Sequence, residues 1–280
     1  MGRYTEQELR DFFFDALDYF NDALDSGITR DNTALAFFTP DNGLEIYEQF
    51  CQKYFPKHLD ENYTAEGYFQ SFAAQAFVGE GRYGVMIRSD LDFPPAELRR
   101  IFLHEISHLF CWENEIEGGG FFDRYCMGSG AGDGMINAGY AIWREAVADI
   151  MADSVLSDYT SLTLEDVREE IGRLYHLLSP ANPDSKKCMS LIIVYIMLTR
   201  EVGGAEEWAS AETELKKRLG LDDRMLYAIL KMVFDNLHQS QSPFWSITPE
   251  FIMELGETYL SLLSFKSLRG IITETGGGAE

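Results

Sequence analysis

The stretch Ile101-Phe102-Leu103-His104-Glu105-Ile106-Ser107-His108-Leu109-Phe110 reads H-E-x-x-H inside an apolar run. On a helix, His104 and His108 are four residues apart and share one face. Two imidazoles so placed can bind one zinc ion, and Glu105 sits beside them, able to hold the metal-bound water. The chain has only 5 His, so a pair at this spacing around a glutamate carries information. The plain alternative is two surface histidines and an ordinary glutamate on one helix.

A site with two histidines needs a third protein ligand and a fourth position left to water. The segment Ala141-Ile142-Trp143-Arg144-Glu145-Ala146-Val147-Ala148-Asp149-Ile150-Met151-Ala152-Asp153 has helical spacing, and its alanines allow close approach to another helix. Glu145 can supply the third ligand. Asp149, one turn on, can accept the remaining ring N–H of a ligand histidine and fix its tautomer. Apolar residues flank both acids, which disfavours reading them as solvent-facing. Asp153 continues the same i,i+4 row and reads as a surface residue.

The elements that must position these groups are signalled locally. Pro94-Pro95 can open the first helix, with Pro95 suited to a first turn that needs no N–H. Leu98, Phe102, Ile106 and Leu109 then form an apolar stripe at 3–4 spacing. Upstream, residues 5–25 read as an amphipathic helix, and Leu44 to Tyr54 as a second one after an Asn42-Gly43 turn. Phe72 to Val78 and Tyr83 to Arg88 read as two strands around Gly79-Glu80-Gly81-Arg82, a hairpin signal. Such a hairpin either offers a sheet edge to an extended peptide or merely packs on the helix. Glycines at 118–120, 128, 130, 132 and 134 mark a connecting loop or a mobile lid. Beyond it, Leu162 to Leu178, Cys188 to Val202, Glu206 to Leu219 and Arg224 to Leu237 carry helical patterns. Thr248-Pro249-Glu250 resembles a helix start with Thr248 as N-cap.

Composition narrows the function. A chain of 280 residues with 46% hydrophobic and 14% aromatic residues is globular. Its formal net charge of −23 argues against nucleic acid and against anionic membranes as partners. Cys51, Cys111, Cys126 and Cys188 form no C-x-x-C pair and no disulfide framework, as expected of a cytoplasmic protein. The first residues have no apolar signal core, and the most apolar run, Cys188 to Thr199, is too short to span a bilayer.

H-E-x-x-H followed downstream by E-x-x-x-D resembles the gluzincin, or thermolysin-like, branch of zinc metallopeptidases. The resemblance covers roughly residues 70–200 and is specific at the two motifs. It implies zinc ligands His104, His108 and Glu145, a general base Glu105, and Asp149 supporting a ligand histidine. Metzincins continue H-x-x-G-x-x-H, but Cys111 and Asn114 stand at those two positions. Gluzincins also place a Tyr or His against the transition-state oxyanion. Cys188 falls near the expected place, and Tyr175, His176, Tyr195 and His238 are candidates that fit packing or surface positions as well.

The expected architecture is a zincin-like α+β protein. Residues 1–112 form an N-terminal lobe with a small sheet, edge-strand hairpin and H-E-x-x-H helix. Residues 113–139 connect it to a mostly helical C-terminal lobe, 140–272, which brings the third zinc ligand; 273–280 form a disordered tail. The expected function is zinc-dependent hydrolysis of peptide bonds in a peptide or protein substrate, without nucleic acid or membrane, by a chain that can act as a monomer. The alternative is a zinc-binding pseudo-peptidase that binds a protein or peptide without cutting it.

Overall fold

The structure, a computed structural model, describes residues 2–60, 67–116, 119–126, 128, 131–156, 247–260 and 263. The elements run α1 (Glu6–Ala23), β1 (Thr33–Phe38), α2 (Gly43–Tyr54), 3₁₀ turns at Pro56–Asp60 and Tyr68–Gln70, β2 (Ala74–Gly79), β3 (Arg82–Arg88), α3 (Pro95–Glu113), α4 (Gly119–Tyr125) and α5 (Ala131–Val155). Residues 249–260 are helical as well. The α+β class expected from the sequence is what the described residues adopt. The expected helices over 162–237, the tail 273–280, and Tyr175, His176, Cys188, Tyr195 and His238 lie outside them.

The chain divides into two compact units, Met1–Gly119 with Met151–Tyr159, and Gly120–Ile150 with Thr160–Glu280. The first unit is built on a three-stranded sheet of order β1-β3-β2, with β1 parallel and β2 antiparallel to the central β3. The hairpin lies where its turn signal put it. Gly79 pairs with Arg82, and Gly81 takes φ 67°, a left-handed angle that costs glycine little. β1 had no counterpart in the sequence reading. Its parallel pairing runs from Thr33↔Tyr83 to Phe38↔Arg88, across the intervening α2.

Alternation along the strands divides the sheet's two faces. Phe38, Phe77 and Met86 point to one side, where they join Tyr47, Phe50 and Cys51 of α2 and the rings of Phe55 and Phe69 in a buried cluster. On the other side lie Phe37, Val85 and Ile87. There the Arg10 guanidinium of α1 lies over the Phe37 ring, and the Glu113 carboxylate of α3 meets the Tyr83 hydroxyl. The sheet is therefore sandwiched between α2 on one face and α1 with α3 on the other. α1 meets α3 through aromatic edges, Phe13 on Phe102 and Phe20 on Phe110. Phe13, Phe20 and Phe102 are fully buried, each contributing about 1.5–3 kcal/mol relative to exposure.

The β2 edge is partly occupied from within. The Arg88 N–H donates to the Ala73 carbonyl, so Ala74, Ala76 and Val78 direct their backbone groups away from β3. His58 Nε2 lies 3.1 Å from the Val78 carbonyl oxygen, which only accepts, so that nitrogen carries the proton. Beside it, Lys57 pairs with Glu80 of the hairpin turn at 2.7 Å.

In the second unit, the segment expected to be a glycine-rich connection is largely helical. Phe121 stacks on Tyr140 with ring centroids 5.5 Å apart, and Tyr140 stacks on Trp143, so α4 docks on α5 through aromatic rings. Gly139 of α5 faces the backbone of Ile252, and Gly256 faces that of Met135. A Cβ at either would run into the opposing backbone, so glycine is kept in both helices for close approach rather than for a loop. The helix over residues 249–260 starts as its sequence predicts: Thr248 Oγ1 accepts the N–H of Phe251 at 3.2 Å.

Candidate metal centre

α3 is the element that carries the histidine pair. It runs from Pro95 to Glu113 with Pro94 at its N-cap, so the two prolines open it as expected. Leu98, Phe102, Ile106 and Leu109 are all buried, which fixes the rotation of the helix in its unit. Ser107 is buried too, and its hydroxyl donates back to the Leu103 carbonyl at 2.7 Å. With that stripe turned inward, His104 lies part-buried and His108 is 7% exposed. Glu105, at 8%, is a buried carboxylate on the same turn. Burial of an acidic side chain inside an apolar helix is costly unless a partner compensates it, which sets Glu105 apart from an ordinary surface glutamate.

The histidine rings meet edge to face, with centroids 4.8 Å apart and planes at 86°. Their Nε2 atoms are 3.2 Å apart. Ligand atoms about 2.0–2.1 Å from a single zinc ion stand about 3.3–3.4 Å apart when the angle is tetrahedral. The spacing of the two nitrogens is that of two corners of such a tetrahedron.

Glu145 lies on α5, which is one continuous helix through Glu145, Asp149 and Asp153. Its final turn belongs to the same compact unit as α3. Two contacts seat that turn: Cys111 Sγ lies 3.1 Å from Met151 Sδ, and Arg100 Nε lies 3.3 Å from an Asp153 carboxylate oxygen. Ligand atoms of His104, His108 and Glu145 all lie within 4.8 Å of one another, and among the described residues they are the one group of this kind. Two imidazole nitrogens and a carboxylate oxygen are the donor set of a three-ligand zinc site with one open position. The three residues therefore fit a zinc ion on the chemistry of their donors, and the two histidine nitrogens fit it on spacing as well.

Asp149 lies one turn past Glu145 on α5 and is part-buried. Asp153 departs from its sequence reading. It is no surface acid: its side chain is 17% exposed and ion-paired with Arg100, whose side chain is 38% exposed. The sequence carried a signal for this pair, because Arg100-His104-His108 and Glu145-Asp149-Asp153 are matched i,i+4 rows with the cation at one end and an acid at the other. Among the described residues, no helix is long and apolar enough to cross a membrane.

No protein-family model, no curated protein and no solved structure matches this chain.

Proposed function

We propose that the protein is a zinc-dependent metallopeptidase of zincin-like architecture. His104, His108 and Glu145 hold the ion, Glu105 is the general base, and Asp149 orients a ligand histidine. The observation that supports this reading is the proximity of the H-E-x-x-H pair to a distant glutamate, within 4.8 Å, with a further carboxylate, Glu105, buried on the same turn. Binding a metal does not require Glu105; hydrolysis does. A zinc ion in this donor set supplies Lewis acidity, which makes water acidic near neutral pH and polarises a carbonyl. The Glu105 carboxylate takes a proton from the attacking water as the new C–O bond forms. It then hands that proton to the leaving nitrogen as the C–N bond breaks. β2 packs against α3, and the outward backbone groups of Ala74 and Ala76, away from the His58 contact at Val78, suit an extended peptide as substrate.

The test is a paired measurement of zinc content and peptide-library cleavage for the wild type and Glu105→Gln. The variant keeps size and zinc but loses the basic oxygen, so cleavage falls by at least ~10²-fold. Equal cleavage by both proteins removes Glu105 from the mechanism. A zinc-loaded wild type that cuts no peptide points instead to a zinc-binding module that holds a peptide or protein partner.

A further inference from the structure

We propose that the Arg100–Asp153 ion pair is a positioning contact that sets Glu145 against His104 and His108; the inference rests on the zinc site proposed above. Arg100 is one turn before His104 on α3, and Asp153 is two turns beyond Glu145 on α5. At about 100° per residue, each row of three residues spans an arc of about 80° on its helix. The side of α5 that presents Asp153 to Arg100 is therefore the side that presents Glu145. Met151 lies two residues before Asp153, about 200° around the helix, so its contact with Cys111 grips a different side of the same turn. Two grips on different sides resist rotation of α5 about its axis, and one grip would not.

The lever is short and stiff. Eight residues of helix separate Asp153 from Glu145 by about 12 Å, so a tilt of about 5° at the anchored end moves the Glu145 backbone by about 1 Å. Metal sites hold their ligand distances to about 0.2 Å. A tilt that the fold absorbs easily is thus large for the site. Arginine suits the task, because its planar guanidinium fixes the direction of its hydrogen bonds where an ammonium group does not. The pair is partly screened from solvent, at 38% and 17% side-chain exposure, so it keeps more directional force than a surface pair.

The experiment uses the full chain and zinc itself. Zinc dissociation constants are measured by chelator competition, and melting temperatures are measured metal-free and zinc-loaded, for wild type, Asp153→Asn, Arg100→Lys and the swap Arg100→Asp/Asp153→Arg. Asp153→Asn keeps the shape of the side chain and should weaken zinc binding about tenfold, at the low end of the range for residues supporting metal ligands. Arg100→Lys should fall between that variant and the wild type. The swap should recover most of the lost affinity. A tie that serves only stability predicts a lower metal-free melting temperature with zinc affinity unchanged, and wild-type affinity in Asp153→Asn overturns the proposal. So does a folded swap that binds zinc no better than the single variant. A folded wild type that takes up no zinc is a separate result: it removes the metal centre, and this role with it.

Discussion

The Nε2 atoms of His104 and His108 lie 3.2 Å apart on consecutive turns of α3. Without a cation, one ring must donate to the other. In the proposed site a cation would take a lone pair from each ring, with Glu145 as the third ligand. About one zinc per chain is therefore expected, and His104→Ala, His108→Ala or Glu145→Ala should each abolish or strongly weaken its binding. Because the folded chain alone brings these ligands together, zinc at about 100 times its dissociation constant should stabilise the fold by about 2.7 kcal/mol. Metal analysis and thermal melts with and without a chelator read both effects. A folded wild type whose melting temperature ignores zinc would sink the assignment.

Asp149 is expected to act on the metal through a histidine. Asp149→Asn keeps the shape but loses the charge that makes a ligand imidazole more basic, so zinc affinity should fall by roughly 10–100-fold with the fold intact. Isothermal titration with zinc and a circular dichroism spectrum settle it; affinity equal to wild type would leave Asp149 as a structural acid.

Tyr83 and Glu113 predict a loss of stability at alkaline pH. Burial, then the charge and hydrogen bond of the Glu113 carboxylate, push the Tyr83 hydroxyl above the usual tyrosine range. A group whose pKa is raised by folding contributes fully below its unfolded value, near pH 10, and that contribution is lost as pH rises through the folded value. Denaturant unfolding from about pH 8 to pH 11 should show the decline, which Glu113→Gln should reduce but not remove, since burial remains. An unchanged alkaline decline in Tyr83→Phe would show that other groups cause it.

Thr248 caps the helix over residues 249–260 by accepting the Phe251 N–H. Thr248→Ala should cost about 1 kcal/mol, read as a drop in unfolding free energy at constant denaturant slope. Gly256 of that helix approaches the α5 backbone at Met135, so a Cβ there meets main chain that cannot swing aside. Gly256→Ala should therefore cost more than Thr248→Ala, and the reverse order would contradict the close crossing.

What the sequence made legible was local. α3 follows from two prolines and an apolar stripe, the hairpin from Gly79 to Arg82, and α1 and α2 from spacing alone. β1 escaped because Thr33-Ala34-Leu35-Ala36-Phe37-Phe38 has a single β-branched residue and a partner, β3, that arrives only after α2. α4 and the first half of α5 were hidden by their glycines. Within that stretch, Gly139 serves a helix crossing whose other side, at Ile252, lies far along the chain. The grouping of His104, His108 and Glu145 was legible because H-E-x-x-H and E-x-x-x-D are each short. Asp153 was misread because the residue that defines it, Arg100, is 53 positions away.

The His58 contact with Val78 bears on how the protein behaves in concentrated solution. The outer edge of a sheet offers unpaired amides and carbonyls on which a strand of another copy can stack. At the hairpin end of β2 one of those carbonyls is already taken by an imidazole N–H, and the Lys57–Glu80 pair places two charges beside it. A strand approaching there must displace the ring and desolvate both charges before it gains its first hydrogen bond. The segment Pro56–Asp60 thus acts as a guard against edge-to-edge aggregation at that end of the sheet.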